Sequence, residues 1–126
     1  MHSTKRLVLV VGLLVAAFAT GACGGSSDYA GGAPACSAAT ATATTSVSIR
    51  ASAFTPACIT VAAGATVTFT NSDSILHTVT ADGVPAAYDS GGLAPGLTFQ
   101  HVYAAAGTSS YHCTIHTGMK GTVIVQ

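Results

Sequence analysis

Tyr111-His112-Cys113-Thr114-Ile115-His116-Thr117-Gly118-Met119 gathers a thiolate, an imidazole and a thioether into one short stretch. The histidine follows the cysteine by three residues and the methionine follows the histidine by three. A thiolate is a soft donor suited to Cu(I), an imidazole suits both copper oxidation states, and a thioether makes a long, weak bond. Two imidazoles and a thiolate in a plane, with a thioether on the axis, form the donor set of a copper electron-transfer site. Cys113, His116 and Met119 supply three of those four donors, and His77 is the upstream candidate for the fourth. Thiolate and imidazole also bind zinc well, so donor chemistry alone leaves that metal open.

The segments around this loop read as strands. Val47-Ser48-Ile49 alternates apolar and polar, Cys58-Ile59-Thr60-Val61 follows Pro56, and Ala63-Gly64 marks a turn. Thr66-Val67-Thr68-Phe69-Thr70 alternates cleanly and ends in the turn-rich Asn71-Ser72-Asp73-Ser74. His77-Thr78-Val79-Thr80 is a further strand, closed by Asp82-Gly83, and residues 84–96 are a long Gly/Pro loop. Leu97 to Tyr103 alternates again, Ser109 to Cys113 leads into the ligand loop, and Gly121 to Val125 closes the set. No segment has a helical period. Short strands separated by turns predict an all-β sandwich or barrel over residues 46–126.

The N-terminus reads as an export signal. Lys5 and Arg6 precede an apolar run from Leu7 to Phe18 that is short for a bilayer span. Two cleavage points offer themselves within residues 1–22. Ala17-Phe18-Ala19 fits the small-x-small pattern, whereas Thr20-Gly21-Ala22-Cys23 resembles a bacterial lipoprotein box with Cys23 as the lipidated residue, although Thr20 stands where Leu is usual. Both place the mature chain outside the cytoplasm, lipid-anchored to the membrane in one case and soluble in the other. Residues 23–45 are Gly, Ala, Ser and Thr with little apolar bulk, so they predict a flexible spacer. With Cys113 on metal and Cys23 on lipid, Cys36 and Cys58 remain as a disulfide pair in an oxidising compartment.

Composition excludes several classes. Charged residues make up 6% of the chain and the formal net charge is zero, so there is no basic footprint for nucleic acid. Without the signal, Arg50 and Lys120 face Asp28, Asp73, Asp82 and Asp89, a slightly acidic balance. No paired carboxylates, Ser/His/Asp set or phosphate loop stands out, which argues against an enzyme.

Gly64-Ala65-Thr66-Val67-Thr68-Phe69-Thr70-Asn71, His77-Thr78-Val79 and Tyr111 to Val123 together resemble a cupredoxin of the plastocyanin/amicyanin group. The Cys-x-x-His-x-x-Met loop has the amicyanin-like spacing. The resemblance spans residues 46–126. It implies a Greek-key β-sandwich, one type 1 (blue) copper held by His77, Cys113, His116 and Met119, and electron transfer with redox partner proteins by a monomer. It differs from the family pattern at two positions. Thr78 stands where many relatives have an Asn that braces the two ligand segments, and Ile115 stands where the amicyanin-like loop usually has Pro. Ile115 keeps an N–H that Pro lacks, free to donate to the Cys113 sulfur.

Other residues read as structural. His112 sits beside Cys113 in a strand, so its side chain faces the opposite way; a multicopper site would need a second flanking His where Thr114 stands. His101 reads as a plain sheet histidine, and the Tyr residues as core or rim. The apolar docking patch implied around His116 would draw on Thr117, Gly118, Pro85, Ala86 and Leu93. Electron carriage is the leading function and copper delivery or storage with the same donors is the alternative.

Overall fold

The computed structural model describes residues 35–126. Nine strands follow one another: β1 (Thr42–Ala43), β2 (Ser46–Arg50), β3 (Ala53–Thr55), β4 (Cys58–Val61), β5 (Ala65–Asn71), β6 (Thr80–Ala81), β7 (Thr98–Tyr103), β8 (Gly107–His112) and β9 (Lys120–Val125). The described residues contain no helix. Strand formation follows the alternation: in β5, Val67, Phe69 and Asn71 turn inward while Thr66, Thr68 and Thr70 turn outward.

Two sheets result, one ordered β1-β4-β9-β8-β6 and the other β3-β2-β5-β7. The pairs β2–β5 and β4–β9 are parallel, whereas β5–β7 and β8–β9 are antiparallel. Parallel neighbours cannot be joined by a tight hairpin, so the chain passes repeatedly from one sheet to the other, giving the Greek-key β-sandwich that the sequence resemblance implies. Val47, Ile49, Phe54, Val67 and Phe69 of one sheet are buried with Ile59, Val61, Tyr111, Val123 and Val125 of the other. The Tyr111 ring meets Phe54 at 4.7 Å and Phe69 at 5.2 Å, both edge to face, the arrangement that ring quadrupoles favour.

The structure departs from the sequence reading in two places. Part of the expected spacer is built into the fold from residue 35 onward. Thr40 closes a turn on Ser37, β1 pairs in parallel with β4, and a disulfide joins Cys36 to Cys58. Pairing of β1 uses backbone groups at a sheet edge, which small Ala and Thr side chains permit without any apolar pattern. Secondly, His77–Thr80 is not a strand. His77 pairs with Leu93 as an isolated bridge, and only Thr80 continues into β6. The N–H groups of Thr78 and Val79 leave the ladder for side-chain acceptors, Cys113 Sγ and Ser90 Oγ. The expected export signal over 1–22, Cys23 and the first part of the spacer lie outside the described residues.

Candidate metal centre

The centre is assembled by two segments, the loop after β8 and the connection between β5 and β6. β8 stops one residue before Cys113. Beyond it, the Cys113 N–H donates to the Met119 carbonyl at 3.0 Å and the Met119 N–H to the His116 carbonyl at 3.3 Å, closing a tight turn. Gly118 adopts φ 86° within that turn, a left-handed conformation that glycine enters without steric cost.

The connection is organised by Asn71, the last residue of β5 and fully buried. Its Nδ2 donates to the carbonyls of Ile75 and Leu93, both at 2.8 Å, and its Oδ1 accepts from the Asp73 N–H at 3.0 Å. These bonds fold residues 71–77 back on themselves and present His77 toward Cys113. Thr78 then ties the segments together: its hydroxyl oxygen accepts the Thr114 N–H at 2.8 Å and lies 3.1 Å from the Thr114 hydroxyl. A Thr therefore spans the gap with a bond to backbone instead of the longer reach of Asn.

One donor atom each from His77, Cys113 and His116 lies within 4.8 Å of the others. Cys113 Sγ is 3.9 Å from His77 Nδ1 and 3.6 Å from His116 Nδ1, and the two rings lie 4.7 Å apart. His77 is fully buried, Cys113 and Met119 are nearly so, and His116 keeps a solvent-facing part. Burial pushes the Cys113 thiol up, but the N–H groups of Thr78 and Ile115 and the imidazoles of His116 and His77 outweigh it and bring the group down to about 6. The pocket is therefore tuned to hold a thiolate, the form that binds metal.

The donors fit copper by chemistry: a low-lying thiolate, two imidazoles offering Nδ1 to one point, and a buried thioether in the same loop. The other nitrogen of His77, Nε2, lies 3.1 Å from Asp73 Oδ2. A metal-bound imidazole commonly donates its remaining N–H to such a carboxylate. Asp73 is held below the usual carboxylate range mainly by the Ser52 N–H, then by the Ser74 N–H, against a smaller opposing effect of burial, with His77 contributing last. Asp73 and Asn71 were hidden in the sequence because Asn-Ser-Asp-Ser reads as a turn. The signal that could have exposed Asp73 is its place four residues before a candidate ligand.

Several residues fall elsewhere. His112 turns away from the centre and pairs with Asp82 at 2.6 Å. His101 stacks on Tyr88 at 4.1 Å within the sandwich, and burial lowers its affinity for a proton. Leu93, expected on the docking patch, is buried as part of the hydrophobic core, and its backbone bridges His77. The exposed apolar residues of the two ligand segments are Ile75, Leu76 and Ile115.

Residues 41–126 match the family model described as copper binding proteins, plastocyanin/azurin family. A plastocyanin from Scenedesmus fuscus is 36% identical over 84 residues, covering 58% of this chain and 86% of that protein. Among solved structures, the novel purple cupredoxin from Nitrosopumilus maritimus superposes with a TM-score of 0.60 at 28% identity, covering 64% of this chain and 98% of that one. The reduced Cu(I) form, at pH 4, of an amicyanin mutant gives 0.60 at 31% identity, with 64% and 80% covered. The chain belongs to the plastocyanin/azurin family of copper-binding proteins, and its fold is a cupredoxin's.

Proposed function

We propose that this protein is a type 1 copper electron carrier that works outside the cytoplasm, and that His77, Cys113, His116 and Met119 are the residues that would hold the metal. The observation that carries the reading is the convergence of three donors within 4.8 Å from two segments far apart in sequence. Bound there, copper supplies a one-electron Cu(II)/Cu(I) couple. The chain's own residues determine how little must move. The Thr78–Thr114 bonds hold the two segments in register, and the closed 113–119 turn fixes Cys113 against Met119. A pocket already shaped for a compromise between the two oxidation states keeps reorganisation small. His116, half-exposed between Ile115 and Thr117, is the port through which a redox partner reaches the centre.

Export follows from the signal-like residues 1–22, and membrane tethering from a lipid on Cys23. With the Cys36–Cys58 bond closing the fold's N-terminal end, residues 23–35 would form the tether. Loading the purified protein with Cu(II) tests the centre. An intense visible thiolate-to-copper band that is lost in Cys113→Ser, together with reversible voltammetry, is expected. A colourless Cu(II) protein, or a couple that does not reverse, would overturn the carrier and favour copper delivery or storage. Mass spectrometry of the membrane fraction tests the anchor, and an unmodified Cys23 or a chain starting beyond it would remove it.

A further inference from the structure

Asp73 is bound on every side. Its Oδ2 accepts the Ser52 N–H at 2.9 Å and faces His77 Nε2 at 3.1 Å, while its Oδ1 accepts the Ser74 N–H at 2.9 Å. Its own N–H is taken by Asn71. The Ser52 bond comes from an unusual place. Ala51 and Ser52, at the tip of the β2–β3 hairpin, have φ of 49° and 55°. Two consecutive left-handed residues are ordinarily Asn or Gly in such a hairpin; for Ala and Ser the Cβ crowds the following carbonyl oxygen. The tip is thus held in a strained form that aims the Ser52 N–H at the carboxylate, and strain of this kind collects where function over-determines the backbone.

The charge of Asp73 is also uncompensated. Among the described residues, its one ion-pair contact is the imidazole of His77, and neither Arg50 nor Lys120 pairs with it. The fully buried His77 therefore carries a carboxylate on one ring nitrogen and offers the other, Nδ1, to Cys113 Sγ.

We propose that Asp73 is the positioning residue of the centre: anchored by the left-handed hairpin tip, its carboxylate accepts the His77 Nε2–H and so fixes the ring with Nδ1 facing Cys113, and its negative charge biases the centre toward the oxidised state. Two separable effects follow. Orientation needs only an acceptor at Oδ2, which a carboxamide also offers. The bias needs the charge, which lowers the energy of the more positive Cu(II) form relative to Cu(I). The inference rests on the copper reading for the second effect and is independent of it for the first.

The first test uses the metal-free protein. Nitrogen-15 NMR of the wild type should show a slowly exchanging proton on His77 Nε2, and an Nε2 that carries no proton or exchanges it freely would overturn the positioning role. The second uses the copper protein. Asp73→Asn should keep the visible band and raise the reduction potential, the Cu(II)/Cu(I) preference falling about tenfold, which is ~59 mV for one electron. Asp82→Asn removes the same charge beside His112 and should move the potential far less; an equal shift would reduce the effect to net charge and overturn the proposal. Asp73→Ala should weaken copper binding by roughly 10–100-fold, with Asn restoring most of it. An intact band with an unmoved potential in Asp73→Asn overturns the bias. Absence of any band in the wild type would strike the copper reading and leave the Nε2 proton measurement standing.

Discussion

At Cys113 a single sulfur is served by backbone donors from two segments, the Thr78 N–H at 3.4 Å and the Ile115 N–H. Hydrogen bonds to the thiolate withdraw electron density and favour Cu(I), a recognised lever on blue-copper potentials. Ile115→Pro deletes one donor without touching a ligand. Voltammetry should record a lower potential than the wild type, and an unchanged or raised value would remove Ile115 from the tuning. The same donors give the metal-free protein a pH signature. With the Cys113 thiol at about 6 in the fold against an ordinary 9.0, the unfolded chain binds the extra proton between those values. Stability must then rise with pH across that window and be lost as pH falls from about 9 toward about 6. Thermal unfolding of metal-free protein across this range should show the slope, and Cys113→Ser should flatten it. Tyr111 offers a test of opposite sign. Its hydroxyl is buried without a partner among the described residues, and burial pushes its proton affinity far up. Removing an unsatisfied hydroxyl while keeping the ring relieves a desolvation cost of about 1 kcal/mol, so Tyr111→Phe should melt at or above the wild-type temperature. A clear drop would mean that the hydroxyl has a partner.

At the scale of strands and loops, the central ladder constrains composition tightly. Tyr111 of β8 lies opposite Gly121 of β9, and a Cβ added to Gly121 would collide with the Tyr111 ring at Cζ and the hydroxyl. The ring has nowhere to go between Phe54 and Phe69. Gly121→Ala should therefore destabilise by about 2–3 kcal/mol, the range of overpacked cores, and chemical denaturation would measure it. Pairing it with Tyr111→Leu should cost less than the two single changes added together; strict additivity would place the clash elsewhere. The central strands were readable from sequence because side-chain period announces itself: β4 and β5 alternate. The partnership of His77 with Cys113 came from the donor set and the family resemblance. What could not be read was everything made by backbone or by turn residues. β1 pairs along an edge with no apolar pattern, and β3 is only three residues long. The strand expected from His77 dissolves because two of its N–H groups are claimed by Cys113 and Ser90. Asn71 and Asp73 looked like ordinary turn formers, and their roles exist only once the loop has closed over them.

For the molecule as a whole, the distribution of charge sets how it meets other proteins. The chain has as many acidic as basic residues, and the exposed large side chains of the two ligand segments are apolar: Ile115, next to His116 in the chain, is 49% exposed, and Leu76 and Ile75, just before His77, are 45% and 44% exposed. Association through such a face gains by releasing water from apolar surface and very little from steering by charge. Two copies of the same protein provide a defined probe, because electron self-exchange between the reduced and oxidised forms needs the same port to meet itself. Self-exchange followed by NMR line broadening should change little between low and physiological salt, since screening acts on charge pairs that this face lacks. Leu76→Asp sets like charges against each other in that encounter and should slow self-exchange at least about tenfold at low salt, with partial recovery as salt is added. Its visible band should stay that of the wild type, because the Leu76 side chain rests on Gly92 outside the donor set. A steep salt dependence in the wild type, or unchanged self-exchange in Leu76→Asp, would move electron exchange to another face of the sandwich.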